Sequence, residues 1–94
     1  MNKVKVLEKN DNVATTLEDL KAEMIVSYKF STEEIKIKIL DDISYGHKFA
    51  IKDIKKNFPV IKYGEVIGKA TKDIKTGNHV HIHNVDGNRA SSNK

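Results

Sequence analysis

A stretch of six residues occurs twice in this chain, twenty positions apart, and it limits the possible folds more than any other feature. Ala50-Ile51-Lys52-Asp53-Ile54-Lys55 returns as Ala70-Thr71-Lys72-Asp73-Ile74-Lys75 with five matches in six, and a weaker copy, Glu18-Asp19-Leu20-Lys21, stands upstream. Because one short unit cannot bury its apolar face alone, we predict a pseudo-symmetric pair of turn and strand units packed against each other. The alternative is chance reuse of a common Asp-Ile-Lys turn.

The turn in each copy requires one residue with a left-handed backbone. Gly77 occupies this place in the second copy and Asn57 in the first. Glycine has no side-chain penalty at positive φ, and asparagine is the next best tolerated residue there. Both copies therefore predict the same chain reversal.

Alternation of apolar and polar residues predicts a mainly β fold with one or two short helices. Strands are expected at 4–7, 24–30, 35–40, 58–62, 65–70 and 79–83. Val13, Leu17 and Leu20 instead recur at helical spacing behind a possible N-cap residue, Asn12, which predicts a short helix. We expect one domain over residues 1–87 and a flexible tail over residues 88–94, where no side chain is both apolar and larger than alanine.

Composition and charge exclude several classes of protein. The chain has 94 residues, no cysteine and a formal net charge of +4, carried by sixteen lysines and one arginine against thirteen acidic residues. The lysines alternate with acidic residues, and nucleic-acid readers rely on arginine forks and stacked aromatics, so we expect no nucleic-acid partner. No apolar run is long enough to span a membrane, and the N-terminal residues have no signal-peptide core. We therefore expect no membrane partner and a cytoplasmic location.

The string His79-Val80-His81-Ile82-His83-Asn84 carries the most chemical information. In an extended strand the three histidines line one face about 6 to 7 Å apart, while Val80 and Ile82 face the core. Neutral imidazoles in a row can bind a divalent ion or serve as a base and a hydrogen-bond donor. The first and third histidines are too far apart to share one ion unless the strand bends. The alternative is an exposed polar edge without a ligand.

A second candidate group is Gly46-His47-Lys48, which follows Asp41 and Asp42 by a few residues. Gly46 permits close approach of the backbone to a ligand, and His47 beside Lys48 places a titratable base next to a positive charge. This combination suits carboxylate capture or proton abstraction. The alternative is a surface turn whose His47 and Lys48 side chains are exposed to solvent and bind no ligand. Asp41 and Asp42 are expected to form turns.

These strings together resemble one known family. The small SAF-type domain of the altronate/galactarate dehydratase family has similar strings in the same order: Gly46-His47-Lys48, then Tyr63-Gly64-Glu65-Val66-Ile67-Gly68, then the histidine string. Its start is similar to Asp11-Asn12-Val13-Ala14. The similarity covers nearly the whole chain up to Arg89. It implies a β-clip fold and a domain that is either fused to a large catalytic portion or encoded separately, and this chain resembles the separate form.

The resemblance implies a carbon–oxygen hydro-lyase acting on a sugar acid, with this chain as the small subunit that completes the active site of a large catalytic subunit and is inactive without it. The implied catalytic residues are His47, Lys48 and His81, and the implied substrate-binding residues are Gly46, His79, His83, Asn84 and Arg89. It also implies a divalent metal, iron or manganese, held mainly by the large subunit. Two alternatives stay open: a small subunit of a sulfolactate sulfo-lyase, and a non-catalytic module that binds a sugar acid or a protein.

Overall fold

The computed structural model describes residues 4–6 and 8–87, and this part of the chain is built from β-strands without a helix. The mainly β prediction is confirmed, and the architecture is consistent with a β-clip. The strands are β1 (Val4–Lys5), β2 (Val13–Thr16), β3 (Ile25–Phe30), β4 (Glu33–Lys38), β5 (Lys48–Ala50), β6 (Pro59–Lys62), β7 (Glu65–Ala70), β8 (His79–Val80) and β9 (Val85–Gly87). Over these residues no helical segment has the length and hydrophobicity needed to cross a bilayer. The proposed tail at 88–94, with Arg89, lies outside the described residues.

The strands form three antiparallel sheets. The largest has the order β1-β2-β5-β8, the hairpin β3-β4 forms the second, and β6-β7-β9 form the third. In the largest sheet β8 is an edge strand, and it pairs with β5 so that Lys48 lies opposite Val80 and Phe49 opposite His79. The strand that carries the first histidine therefore ends beside the start of the strand that follows Gly46-His47.

Two hydrophobic cores lie on opposite faces of the largest sheet, as the alternation of side chains along a strand requires. In β5, Phe49 belongs to the first core and Ala50 to the second, and in β2 Ala14 and Val13 divide in the same way. All four side chains are buried. The sheet is thus covered on both faces, and among the described residues no further strand pairs with its edge at β8, where His79 lies.

The internal repeat is a structural pair, as predicted. Ile54 and Ile74 form a two-residue antiparallel bridge through both of their backbone hydrogen bonds. The Asp53 carboxylate accepts a hydrogen bond from the Thr76 backbone N–H at 2.8 Å, and the Asp73 carboxylate accepts one from the Lys56 backbone N–H at 2.9 Å. Each unit therefore caps the turn of the other, which explains why the Asp-Ile pair recurs.

The weaker copy of the repeat, Glu18-Asp19-Leu20-Lys21, also packs against a partner segment, which the repeat in the sequence did not reveal. Leu20 bridges Ile43, the Asp19 carboxylate accepts a hydrogen bond from the Tyr45 backbone N–H, and the Asp42 carboxylate accepts one from the Ala22 backbone N–H. The four turns have a positive φ at the same place: 80° at Glu23, 83° at Gly46, 76° at Asn57 and 96° at Gly77. The prediction for Asn57 and Gly77 is confirmed, and Gly46 proves to be the same turn residue.

The predicted helix at residues 13–20 is wrong. Residues Val13–Thr16 form β2, which pairs with both β1 and β5 at the interior of the sheet. Three of its four residues are β-branched and suit a strand, and Leu17, which the helical pattern needed as a core residue, is exposed. Asn12 caps no helix: its side chain accepts a hydrogen bond from the Ile61 backbone N–H at 2.7 Å and donates one to the Pro59 carbonyl at 2.9 Å.

Candidate functional site

The histidine string bends after its second residue instead of running on as a strand. β8 ends at Val80, and residues 81–84 form a turn in which the Asn84 backbone N–H donates to the His81 carbonyl at 3.1 Å. The prediction of a strand over 79–83 is therefore wrong beyond Val80. Val80 is buried as expected, but Ile82 is 84% exposed at the tip of the turn and does not face the core.

Asn84 causes the bend. Its side chain is 4% exposed, its Oδ1 accepts a hydrogen bond from the His81 backbone N–H at 3.0 Å, and its Nδ2 donates one to the His79 carbonyl at 2.8 Å. Asparagine side chains of this kind compete with strand pairing for backbone groups. The Asn84 amide thus binds two backbone groups that point away from β5 and fixes the turn that carries the histidines.

The bend gathers four imidazoles, three from the string and one from His47. The His47 ring stacks on the His81 ring with a centroid distance of 4.7 Å and on the His79 ring at 5.2 Å. His79 lies 5.5 Å from His81 and 5.3 Å from His83. We call these four residues the imidazole cluster. The two candidate groups of the sequence, the histidine string and the Gly46-His47-Lys48 turn, therefore meet in the structure.

Two members of the cluster, His47 and His79, are joined by a hydrogen bond between their rings. His47 Nδ1 and His79 Nε2 are 3.0 Å apart, so one ring donates and the other accepts. The accepting ring must be neutral. Burial, followed by the charges of His47 and the other two rings, lowers the pKa of His79, although Asp41 opposes this shift. Burial and the neighbouring His47 and Lys48 lower the pKa of His81. Near neutral pH the cluster therefore offers unprotonated nitrogens, as a general base requires.

An open cleft of about 340 Å³ adjoins the cluster. It is lined by Lys48, Lys62, Ile67, Val80, His81, Ile82, Val85 and Gly87. His81 belongs to both the cleft and the cluster. Partial burial and then the charge of Lys62 lower the pKa of Lys48. The cleft therefore combines cationic groups, an imidazole and an apolar wall, which are the features of a site for a small organic anion.

The third sheet supplies part of that apolar wall, through Ile67 and Val85. The pairing of β6 with β7 shifts register between Val60 and Ile61, so that Ile67 is the extra residue on β7, and such bulges redirect side chains. Gly68 then allows β9 to approach: a Cβ there would lie 2.5 Å from the Asp86 carbonyl oxygen and 2.7 Å from a methyl group of Val85. The bulge and the glycine together bring Val85 to the cleft.

Most of the residues selected from the sequence meet at this place. Lys48 and His81 line the cleft, the rings of His47 and His79 stack on that of His81, and His83 adjoins His79. Gly46 is exposed beside them, and a Cβ there would meet nothing within 4 Å, so its role in the structure is the left-handed turn. Asn84 is in the group as well, but both polar atoms of its side chain are committed to the backbone. Arg89 lies outside the described residues.

Two further residues belong to the site and were not selected. Lys62 lines the cleft, and its position in the Ile61-Lys62-Tyr63-Gly64 string was the only sequence signal for it. The Asp41 carboxylate accepts hydrogen bonds from the His79 backbone N–H at 2.9 Å and the Asn78 side chain at 3.0 Å. Asp41 thus anchors the first histidine of the string, a positioning role that its interpretation as a turn former did not include.

The cluster does not form a metal site by itself. Within residues 4–6 and 8–87 no group of three or more histidine, aspartate or glutamate side chains is arranged to hold an ion. One pair of ring nitrogens, on His47 and His79, is engaged in a hydrogen bond.

Comparison with known proteins assigns the family. The family model described as "Altronate/galactarate dehydratase SAF domain" matches residues 2–88. The chain belongs to this SAF-domain family. The match includes the imidazole cluster, both cleft lysines and the repeated turns, so the whole candidate site lies within the SAF domain.

The chain is similar to two groups of relatives. The chain is 42% identical over 83 residues to altronate dehydratase of Bacillus subtilis, a match that covers 87% of this chain and 16% of that protein. It is 46% identical over 78 residues to altronate dehydratase of Escherichia coli, a match that covers 83% of this chain and 15% of that protein. It is also 54% identical over 43 residues to (2R)-sulfolactate sulfo-lyase subunit alpha of Paracoccus pantotrophus, which covers 46% of this chain and 64% of that subunit. The chain thus spans about a sixth of the length of the altronate dehydratases it matches.

Proposed function

We propose that this chain is the small subunit of a sugar-acid dehydratase, a carbon–oxygen hydro-lyase, and that it completes the active site of a separate large subunit. The observation that carries the proposal is the imidazole cluster, which shares His81 with a cationic cleft. The names of the altronate dehydratases, whose matches cover 87% and 83% of this chain, support the reaction class.

The chemistry of a dehydration matches the groups in the cleft. A base removes the proton from the carbon next to the carboxylate, the electron pair forms a carbon–carbon double bond, and the β-hydroxyl leaves as water after receiving a proton. The resulting enol then becomes the 2-oxo acid. An imidazole of His47 or His81 suits the proton transfers, and Lys48 suits the carboxylate, whose negative charge grows as the proton leaves. His79 and His83 would bind the hydroxyl groups of the substrate.

Exposed apolar side chains around the site support a large partner. Tyr45, next to Gly46, is 68% exposed, Ile82 is 84% exposed, and Val66 of β7 is 47% exposed. Apolar groups that surround a polar cleft mark surfaces that another polypeptide covers. On this proposal the large subunit closes the cleft and contributes most ligands of a divalent metal, iron or manganese. The absence of cysteine supports a cytoplasmic location for the assembly.

A sulfolactate sulfo-lyase is the second candidate, and one observation favours it. The relatives named subunit alpha of that enzyme are matched over 58% and 64% of their length, far more than the altronate dehydratases. In that reaction sulfite would leave in place of water, after the same removal of a proton next to a carboxylate. The imidazole cluster and the lysines serve both reactions equally well.

Co-purification followed by a turnover assay tests the proposal. The tagged chain is isolated from its own cells, the captured large protein is identified, and the purified pair is assayed on aldonates, aldarates and sulfolactate with and without added Fe²⁺, Mn²⁺ or Mg²⁺. We expect a 2-oxo acid from a sugar acid and no turnover by either protein alone. Release of sulfite from sulfolactate would establish the second candidate instead. If no large protein is captured and the chain still binds a sugar acid without changing it, the chain is a binding module and the lyase proposal is wrong.

A further inference from the structure

Lys62 is a cation in the cleft that the dehydratase proposal does not use. It ends β6, lines the cleft with Lys48, and its ammonium nitrogen lies 5.2 Å from the centroid of the Tyr63 ring. Glu65 lies opposite Lys62 in the β-ladder. Within the described residues neither cleft lysine forms an ion pair, whereas Lys21 and Lys38 pair with Asp42 and Glu23.

Two unpaired cations near each other are unfavourable, and the apolar wall of the cleft increases their repulsion because it reduces screening by water. The charge of Lys62 contributes to the lowered pKa of Lys48, after burial. Residues Ile67, Val80 and Val85 supply the apolar wall. An anion placed against both ammonium groups would remove the repulsion and gain two charge-assisted hydrogen bonds.

The geometry points to Lys62 as a second anion-binding residue, which acts together with Lys48 to hold the acid group of an organic anion, a carboxylate or a sulfonate. This inference rests on the proposed function for the identity of the anion, and it adds a residue and a binding mode to that function. His81 lines the same cleft, so an acid group held by the two lysines brings the adjacent carbon next to the imidazole cluster. The lysines thus position the acid and the imidazoles act on it.

Binding to the purified chain tests the inference without requiring turnover. Lysine side-chain NMR signals are followed at low salt during titration with altronate, galactarate and sulfolactate, with galactitol as the uncharged probe. The variants are Lys62→Met and Lys48→Met, and the matched control is Lys36→Met, which removes an exposed lysine of the β3-β4 hairpin. The pH titration of Lys48 is measured in wild type and in Lys62→Met.

We expect the acids to bind and galactitol not to bind. Lys62→Met should weaken binding about tenfold, the effect of one charge-assisted hydrogen bond, and Lys36→Met should leave it unchanged. The Lys48 pKa should rise in Lys62→Met, because a repelling charge is gone. Comparing carboxylates with sulfolactate shows which acid group the site takes.

Three outcomes would overturn the inference: no binding of any acid by the wild-type chain, equal binding by Lys62→Met and wild type, or equal weakening in Lys36→Met. These results are separable from the fate of the proposed function. Acid binding through Lys62 without turnover by the assembled pair would refute only the lyase proposal. Turnover by the pair with unchanged KM in Lys62→Met would refute only the role of Lys62.

Discussion

Replacement of Asn84 by alanine should destabilise the domain and disperse the imidazole cluster. The substitution removes two hydrogen bonds and leaves the His81 N–H and the His79 carbonyl without those partners in a partly buried environment. At about 1 kcal/mol for each bond, with part of the desolvation cost of the orphaned groups added, the free energy of unfolding should fall by about 2–3 kcal/mol. For a domain of this size the Tm should fall by about 10–20 °C.

Urea unfolding followed by circular dichroism measures this loss, and Asn10→Ala is the control because Asn10 is an exposed turn residue. The second readout is NMR of the imidazoles. Without the turn, His83 should lose its proximity to His79, and the pKa of His79 should rise towards its ordinary value because a neighbouring imidazole and some burial are removed. An unchanged unfolding midpoint together with unchanged imidazole titrations would refute the role assigned to Asn84.

Two further predictions concern the cluster and the cleft wall. The pKa values of His79 and His81 are lowered from the ordinary histidine value of 6.5, so around and below that pH the folded protein binds fewer protons than the unfolded chain. The free energy of unfolding should therefore fall as the pH drops through this range and level off below the folded pKa values. Urea midpoints that stay constant from about pH 8 to pH 5 would contradict this, since carboxylates titrate mainly below about pH 4.5. Gly68→Ala should lower the free energy of unfolding by at least about 1–3 kcal/mol, because it forces β9 away from β7. The control is Gly87→Ala, where a Cβ meets nothing within 4 Å, and its free energy of unfolding should stay within about 0.5 kcal/mol of wild type. Equal unfolding midpoints for the two variants would show that the close approach is not required.

The sequence was most informative where local chemistry decides the structure. Asn57 and Gly77 could be predicted as left-handed residues because only a few residue types tolerate positive φ. The Asp-Ile repeat predicted a pair of packed units because its aspartates and isoleucines form the bridge and caps directly. The second pair, through Asp19 and Asp42, was harder to find because its two copies share little more than an aspartate before an aliphatic residue.

The sequence was least informative where partners distant in the chain decide the structure. The helical spacing of Val13, Leu17 and Leu20 was outweighed by pairing of β2 with strands on both sides, which no local pattern reports. The grouping of the histidines was predicted, but the bend was not, because it depends on which backbone groups the Asn84 amide captures. Lys62 stands 14 residues after Lys48, and only the folded cleft shows that the two face the same space.

The imidazole cluster is proposed to perform chemistry in an assembled enzyme, and comparison of turnover with stability in His81→Ala tests this role most directly. Loss of a general acid or base should lower kcat of the assembled pair by about 100-fold or more. The imidazole of His81 contributes little to either core, so the Tm of the chain should stay within about 4 °C of wild type. A kcat within a factor of two of wild type, or a loss of activity that follows the loss of folded protein, would contradict the claim.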